Sequence, residues 1–295
     1  MVHIIEEGKF NENAYLLDGE FLKTEKTLAI YVIESNGTRL MLDTGEALSA
    51  RRVIKKIKKF NIYPIHKIIF THAHWDHIQA FPKLKRLMKD TEIEVFAHEN
   101  ALDVLKDPER LNEFFGYHVD PIEDVNPLKE GDIFDLNGLK LKIHNFFGHT
   151  QDSIAIEDLK NKILYVGDSI LDRIEKETFI PVLFGPDFDE DSLLNTYEKL
   201  RNMKDDLDGI AVAHYGVWKG EDLEKFIDEM EDRYFKAKET LIKLYNENPS
   251  LKYITQGYHD EVIPNSVIFS EENLMGLQWN IEQNIKTMKA AGFIE

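Results

Sequence analysis

Cysteine is absent from this sequence of 295 residues, so disulfide bonds, thiolate metal sites and cysteine nucleophiles are excluded. Basic residues are few: 36 Lys and Arg face 54 Asp and Glu, which gives a formal net charge of -18 at pH 7. A field of this sign repels nucleic acid and anionic membranes, so we expect neither as a partner. Long apolar runs are also missing, since none approaches the roughly 18 residues that a membrane-spanning helix needs.

The N-terminal stretch Met1–Phe10 has neither a basic region nor an apolar region of the kind that marks a secretory signal. We therefore expect a cytoplasmic protein. Hydrophobic residues make up 43% of the chain and aromatic residues 11%, which is enough to build a sizeable core. The length is that of one large domain, or of one domain with an appendage.

The first two thirds of the chain alternate β-rich apolar runs with segments of helical periodicity, which is typical of an α/β fold. Helices are predicted over 47–60, 78–90 and 190–204, whereas 107–131 contains three prolines and is predicted to be an irregular surface excursion. Strands are predicted at Leu28–Ile33, Arg39–Leu42, Lys67–Thr71, Glu92–Ala97, Leu139–Phe147, Ser153–Ile156, Lys162–Val166 and Ile210–Ala213.

The pattern changes after Gly220. Residues 221–248 carry an apolar stripe at helical spacing, and 271–291 predict another helix. We divide the chain into a domain over 1–220 and a C-terminal helical segment over 221–295. That segment packs against the core of the chain, caps a site as a lid with Tyr253 and Tyr258 at the pocket rim, or forms an interface, so a homodimer is left open.

Three of the eleven histidines fall within the stretch Thr71-His72-Ala73-His74-Trp75-Asp76-His77. A strand ends at Thr71, so His72 and His74 lie two residues apart on extended chain and project to one side. Asp76 and His77 follow where a helix begins. Imidazole and carboxylate ligands without thiolate suit zinc, iron or manganese, and zinc is favoured by the number of histidines.

Four ligands do not fill two metal sites, so further ligands are expected later in the chain. Three candidates follow predicted strands and lie within two residues of a glycine, in positions where strand ends place functional side chains: His149, Asp168 and His214. The apolar segment 179–186 lies between Asp168 and the next helix. It could wall a hydrophobic pocket near the metals, or pack against the sandwich or a partner subunit.

At this point the chain resembles the metallo-β-lactamase superfamily. The matching motifs occur in the family's order: Leu42-Asp43-Thr44-Gly45, His72-x-His74-x-Asp76-His77, Gly148-His149-Thr150, Gly167-Asp168 and His214-x-Gly216. The resemblance implies an αββα sandwich with a dinuclear site at one edge and a C-terminal helical extension. It makes 1–220 a metallo-β-lactamase-like metal-binding domain.

By motif position, the resemblance assigns His72, His74 and His149 to a first metal. Asp76, His77 and His214 would bind a second metal, and Asp168 would bridge the two. Asp76 is also the candidate catalytic residue, and Asp43 would support a ligand histidine without binding metal itself.

The function implied is that of a dinuclear metallohydrolase with two divalent ions, zinc before iron or manganese. A hydroxide between the metals would attack a small-molecule ester, thioester, lactone or phosphodiester. The alternative is a non-hydrolytic protein on the same fold that binds metal or ligand, or does redox work.

Overall fold

The computed structural model describes residues 2–170 and 172–295. Its strands are β1 (Val2–Ile4), β2 (Gly8–Lys9), β3 (Ala14–Asp18), β4 (Ala29–Ser35), β5 (Thr38–Leu42), β6 (Lys67–Ile69), β7 (Glu94–His98), β8 (Val125–Leu128), β9 (Ile133–Leu136), β10 (Leu139–Asn145), β11 (Ile154–Asp158), β12 (Ile163–Gly167), β13 (Asp172–Glu175), β14 (Thr178–Ile180), β15 (Gly209–Val212) and β16 (Gly216–Lys219). Its α-helices are α1 (Ala50–Lys59), α2 (Trp75–Ile78), α3 (Phe81–Leu87), α4 (Leu102–Lys106), α5 (Glu109–Phe115), α6 (Glu190–Met203), α7 (Glu221–Glu247), α8 (Leu251–Val262) and α9 (Leu274–Ala290).

The strands form two mixed sheets and one separate hairpin. The first sheet has the order β2-β3-β4-β5-β6-β7-β8, antiparallel from β2 to β5 and parallel from β5 to β8. The second has the order β1-β16-β15-β12-β11-β10-β9, in which only the β12–β15 pair is parallel among the described pairings. The β13–β14 hairpin stands apart from both sheets.

The two sheets pack face to face, and helices cover their outer faces. Strand β4 shows why: Tyr31 and Ile33 belong to the apolar layer between the sheets, whereas Ile30 and Val32 belong to the layer between sheet and helices. Successive side chains of a strand point to opposite faces, so a continuous apolar run is buried on both. The αββα sandwich expected from the sequence is confirmed.

The C-terminal helices pack onto this sandwich. Along α7, the stripe Leu223, Phe226, Ile227, Met230 and Tyr234 is buried, and it belongs to the same apolar cluster as the helix-facing sides of the sheets. The division into domains over 1–220 and 221–295 stays a prediction. In the part of the chain that is described, no helix is both long and apolar enough to cross a bilayer.

Two expectations from the sequence were wrong in detail. Segment 107–131 is not purely irregular, because it contains α5 and β8 and buries Leu111 and Phe115. The helix expected over 78–90 is split, since α2 ends at Ile78 and α3 begins at Phe81. Pro108 directly precedes α5, and Pro82 lies in the first turn of α3. Proline is favoured at the start of a helix, so in both cases it begins a helix, whereas the sequence analysis treated proline only as a helix breaker.

The aromatic residues expected at the pocket rim were also misplaced. Tyr258 is fully buried and its hydroxyl donates to the Phe179 carbonyl oxygen at 2.8 Å. Tyr253 is 40% exposed and donates instead to the Glu247 carboxylate. Both belong to α8, a helix that the sequence analysis did not predict, whereas the C-terminal segment contributes Phe269 and, from α9, Trp279 to the cavity lining.

Candidate metal centre

The residues expected to bind metal lie at one edge of the sandwich, where strands of both sheets end. His72 and His74 follow β6 of the first sheet, and Asp76 and His77 lie in the short helix α2. The remaining three follow strands of the second sheet: His149 after β10, Asp168 after β12 and His214 after β15. The two sheets therefore contribute four and three side chains to the same place.

These seven side chains form two adjoining groups. One group is His72, His74 and His149; the other is Asp76, His77, Asp168 and His214. Within each group, one potential ligand atom per residue lies within 4.8 Å of all the others. All seven are buried except His214, which is partly exposed. The geometry thus brings together every residue that the sequence analysis singled out as a ligand.

Asp168 lies between the groups. Its Oδ2 atom is 3.2 Å from His77 Nε2 and 3.4 Å from His214 Nε2 in its own group. The same oxygen is 3.8 Å from His72 Nε2 and 3.8 Å from His149 Nε2 in the other group. Two ligand atoms each about 2.0 to 2.1 Å from one tetrahedral ion are about 3.4 Å apart, so these spacings suit shared cations.

Hydrogen bonds on the outer nitrogens fix the orientation of three imidazoles. His149 Nδ1 donates to the Val182 carbonyl oxygen at 2.9 Å, and His214 Nδ1 donates to the Thr27 carbonyl oxygen at 2.7 Å. The Nδ1 atom of His77 is 2.9 Å from Asp43 Oδ2. With one proton held on Nδ1, each ring turns Nε2 to the centre, and Nε2 is the nitrogen that can bind a metal once it carries no proton.

Buried polar atoms without partners mark the same place. Two of the unpaired buried atoms among the described residues lie at this centre, His72 Nε2 and Asp168 Oδ1. Buried polar groups are normally paired, so unpaired ones that converge point to a missing cation or water. Five imidazoles and two carboxylates, with no thiolate, are a donor set that suits divalent zinc, iron or manganese. The residues therefore fit a pair of divalent ions.

The imidazoles of the first group, His72, His74 and His149, are neutral at pH 7. Burial lowers the pKa of His72 and of His74 well below the usual value, and the neighbouring histidines lower both further. Burial likewise lowers the pKa of His149. Neutral imidazole is the form that binds metal, so this group needs no deprotonation before a cation enters.

The second group pairs charge instead. Burial by itself would lower the pKa of His77, but the carboxylates of Asp168, Asp76 and Asp43 outweigh it and raise that pKa well above the usual value. Burial would raise the pKa of Asp168 and of Asp76, yet His77 and His214 hold both carboxyl groups ionised. A cation that enters here replaces a proton on His77.

Asp43 supports this arrangement from behind. Its Oδ1 accepts the Thr71 backbone N–H at 2.8 Å, and its Oδ2 accepts the Thr71 hydroxyl at 2.8 Å as well as His77 Nδ1. Gly167 makes room for the same threonine, because a Cβ at Gly167 would lie 2.6 Å from Thr71 Oγ1. Asp43 thus links the end of β5 to a ligand histidine.

A cavity of about 330 Å³ opens over the two groups. Ile180 and Phe184 of segment 179–186 line it, as one of the alternatives for that segment predicted. The sequence analysis missed Phe21, Phe115 and Trp279, which also line it. It also missed the Val182 and Thr27 carbonyls that orient histidines, because a backbone carbonyl leaves no signal in a sequence.

Comparison with known proteins adds to this picture. A crystal structure of a metallo-beta-lactamase family protein from Thermus thermophilus superposes with a TM-score of 0.64 over 96% of this chain and 95% of that one, at 17% identity. An uncharacterised protein of Aquifex aeolicus is 25% identical over 46% of this chain, and an acyl-coenzyme A thioesterase of Gallus gallus is 26% identical over 35%. The matches cover 61% and 41% of those two proteins.

The sequence model that describes the metallo-beta-lactamase superfamily matches residues 28–214, which run from β4 to the last of the seven clustered side chains. A match that spans well over half of a chain establishes membership. This chain belongs to the metallo-beta-lactamase superfamily.

Proposed function

We propose that this protein is a metal-dependent hydrolase that acts on an ester, thioester, lactone or phosphodiester of a small molecule. The observation that carries the proposal is the position of Asp168 Oδ2, within 3.8 Å of ring nitrogens from both groups. One carboxylate placed in this way can serve two cations at once. Two such cations, about 3.5 to 4 Å apart, polarise a substrate oxygen and lower the pKa of water toward about 7.

The residues of the chain would divide the work as follows. His72, His74 and His149 hold one cation as neutral ligands, while His77, His214 and Asp76 hold the other. Asp168 supplies negative charge to both. Asp76 also lines the cavity, and its carboxyl group is held ionised, so it can accept a hydrogen bond from a water or substrate hydroxyl at the centre.

The relatives support hydrolysis of a carboxylic ester or thioester before other reactions, since one is a thioesterase. That support is limited to the shared part, because the match covers 41% of that protein. Five imidazoles among seven ligands favour zinc over iron or manganese. We further propose that the protein is cytoplasmic, acts on a small-molecule substrate and binds neither nucleic acid nor a membrane. A homodimer stays open, and light scattering of the purified protein would distinguish it from a monomer.

The test combines metal analysis with a substrate screen. The protein is purified, its metal content is measured, and chromogenic esters, thioesters, lactones and phosphodiesters are assayed before and after chelation. His149→Ala is the test variant, and His118→Ala, whose side chain is 76% exposed, is the matched control. We expect the wild type to contain about two ions per chain and to lose turnover on chelation. His149→Ala should lose turnover, whereas His118→Ala should keep it. A protein with two ions per chain that cleaves none of these substrates would instead support metal or ligand binding without hydrolysis.

A further inference from the structure

The cavity above the candidate metal centre is shared between the sandwich and the C-terminal helices. Its floor is formed by His74, Asp76, His149, Asp168 and His214. Its walls come from loops of the sandwich and from the region 268–280, at the start of α9. A volume of about 330 Å³ falls within the range of small-molecule pockets.

The described walls away from the floor are mostly apolar. None of the described residues that line the cavity is a lysine or an arginine. The polar side chains there are neutral ones, such as Thr24, Asn273 and Asn280. The apolar side chains of the walls include Phe21, Trp75, Phe115, Phe184, Met275 and Trp279.

Trp279 of α9 lies at the centre of these aromatic walls. Its ring centroid is 5.3 Å from that of Phe21, in an edge-to-face arrangement, and 6.2 Å from that of Phe184, in a nearly parallel one. It also approaches Trp75 edge-on at 6.4 Å. The residue is only partly buried, so it presents apolar surface to the cavity rather than filling the core.

We propose that this cavity binds an uncharged, apolar acyl group, with Trp279 as the residue that determines specificity. The substrate would be a carboxylic ester or thioester whose carbonyl carbon lies at the metals and whose acyl chain lies against Trp279. Water adds its oxygen to the acyl carbon, the bond to the leaving oxygen or sulfur breaks, and the leaving group takes a proton. The identity of the cleaved bond rests on the proposed hydrolase function, whereas the preference for apolar ligands rests on the cavity alone.

The preference for an uncharged chain follows from two free energies of desolvation, one favourable for methylene groups and one unfavourable for anions. Each methylene that leaves water for an apolar wall contributes about 0.8 kcal/mol, or about a fourfold gain. A carboxylate or phosphate carried on the acyl group would lose its hydration without a described cation to replace it. The net charge of -18 adds unfavourable long-range repulsion for anions.

The first test compares two esters of the same chain length, one of which ends in a methyl group and the other in a carboxylate. One is the p-nitrophenyl ester of octanoic acid; the other is the mono-p-nitrophenyl ester of octanedioic acid, which carries a terminal carboxylate. With the metal-loaded protein we expect kcat/KM at least about tenfold higher for the uncharged ester, and a rise of about fourfold per methylene from butanoate to octanoate. Equal rates for the two esters, or no dependence on chain length, would overturn the inference.

The second test changes the wall. Trp279→Ala should flatten the chain-length dependence, so that the ratio of kcat/KM for the octanoate ester to that for the acetate ester falls, and Trp279→Phe should restore most of that ratio. Met275, which lines the cavity and is 84% exposed, can be replaced without disturbing the core. Met275→Arg should raise the relative activity on the octanedioate ester about tenfold. Leu48→Arg, which adds the same charge at a 64% exposed site outside the cavity, is the control and should change nothing.

A third measurement is independent of turnover. Octan-1-ol is uncharged and cannot be hydrolysed, and we expect calorimetry to detect its binding to the metal-loaded protein but not to Trp279→Ala. If octan-1-ol binds and no ester is cleaved, the hydrolase proposal fails and the apolar site stands. If esters are cleaved without chain-length dependence and octan-1-ol does not bind, the hydrolase proposal stands and the apolar site is wrong.

Discussion

Asp43 and His77 are joined by a 2.9 Å hydrogen bond between a carboxylate oxygen and the outer nitrogen of the ring. This bond holds a proton on Nδ1 and orients the ring so that Nε2 faces Asp76 and Asp168. Asp43 has φ of 58°, a left-handed conformation that asparagine also tolerates. Asparagine keeps the shape of the side chain but replaces one acceptor oxygen with a donor.

We therefore expect Asp43→Asn to fold normally and to bind its second metal ion about 10 to 100-fold more weakly. The affinity of each site can be measured by competition with a chelator, and the fold by circular dichroism. Unchanged affinity for both ions in the variant would show that His77 is oriented without Asp43.

Removal of Asp168 should affect both ions together. Asp168→Ala deletes the oxygen that lies within 3.8 Å of nitrogens from both groups, and it deletes one compensating negative charge. Removal of a residue that only hydrogen-bonds to a metal ligand typically lowers metal affinity or activity about 10 to 100-fold. Removal of Asp168, a candidate ligand itself, should therefore lower activity by at least about a hundredfold. Metal content should fall below two ions per chain. Asp90→Asn, at an exposed surface position, is the control; full occupancy and normal turnover in Asp168→Ala would contradict a bridging role.

Glu175 positions part of the cavity wall. Its Oε2 atom accepts hydrogen bonds from the Ser266 hydroxyl at 3.1 Å and from the backbone N–H groups of Val267 at 3.0 Å and Ile268 at 3.2 Å. Ile268 lines the cavity, so loss of the carboxylate should loosen that wall. We expect Glu175→Ala to raise KM for the octanoate ester about three to tenfold, with a smaller effect on kcat.

Glu175→Gln should be milder, because its amide oxygen still accepts. The neighbouring Glu177→Ala serves as a control, and the acetate ester, which does not reach the wall, should be unaffected by all three variants. A KM for the octanoate ester that does not change in Glu175→Ala would show that segment 266–268 keeps its position without this carboxylate.

A chain that ends at Gly220 should fail to stay in solution. It would expose the sandwich surface covered by Leu223, Phe226 and Ile227, each fully or almost fully buried and each worth about 1.5 to 3 kcal/mol. It would also lack Trp279, while keeping all seven clustered metal-site residues. Solubility, metal content and esterase turnover of residues 1–220 are the measurements. A soluble truncated protein with full activity and unchanged acyl-chain preference would show that 221–295 is dispensable.

His3 should make stability depend on pH. Its ring stacks on Trp218 at 3.6 Å, and burial lowers its pKa to about 4 although the Tyr215 carbonyl oxygen opposes this. The unfolded chain takes up the proton near pH 6.5, so between about 6.5 and 4 it binds more protons than the folded state. The contribution of His3 to the free energy of unfolding is therefore complete above about pH 6.5 and is lost as the pH falls toward 4.

The comparison that isolates this residue is urea unfolding of the wild type and of His3→Phe, which keeps a stacked ring without a titrating group. On going from about pH 7.5 to about pH 4.5, the wild type should lose up to about 2 kcal/mol more than the variant. A difference that is independent of pH would contradict the lowered pKa.

The elements that could be predicted from sequence are those in which local pattern and tertiary environment agree. Strands β4 and β12 are continuous apolar runs buried on both faces, and α7 carries a clear stripe. Helix α8 was missed, because its buried Thr255 and His259 dilute the apolar periodicity. The segment from Pro108 was judged by its breakers alone, although it contains α5, whose Leu111 and Phe115 are buried.

The same contrast holds at the site. His72, His74, Asp76 and His77 are close in sequence, so their joint role is visible before any fold is known. Trp279 lies more than two hundred residues away from them, in an ordinary helical context, and reaches the cavity only because α9 packs back onto the sandwich. No local pattern distinguishes it from a core tryptophan.

Each group of ligands draws on both sheets: His149 joins His72 and His74, while Asp168 and His214 join Asp76 and His77. Neither set of donors can exist until the two sheets have docked in register. An ion bound by a complete group of ligands therefore shows that the two sheets have docked. Metal content measured during refolding would follow that step directly, in the absence of any substrate, and chelation should allow the sheets to separate at a lower temperature.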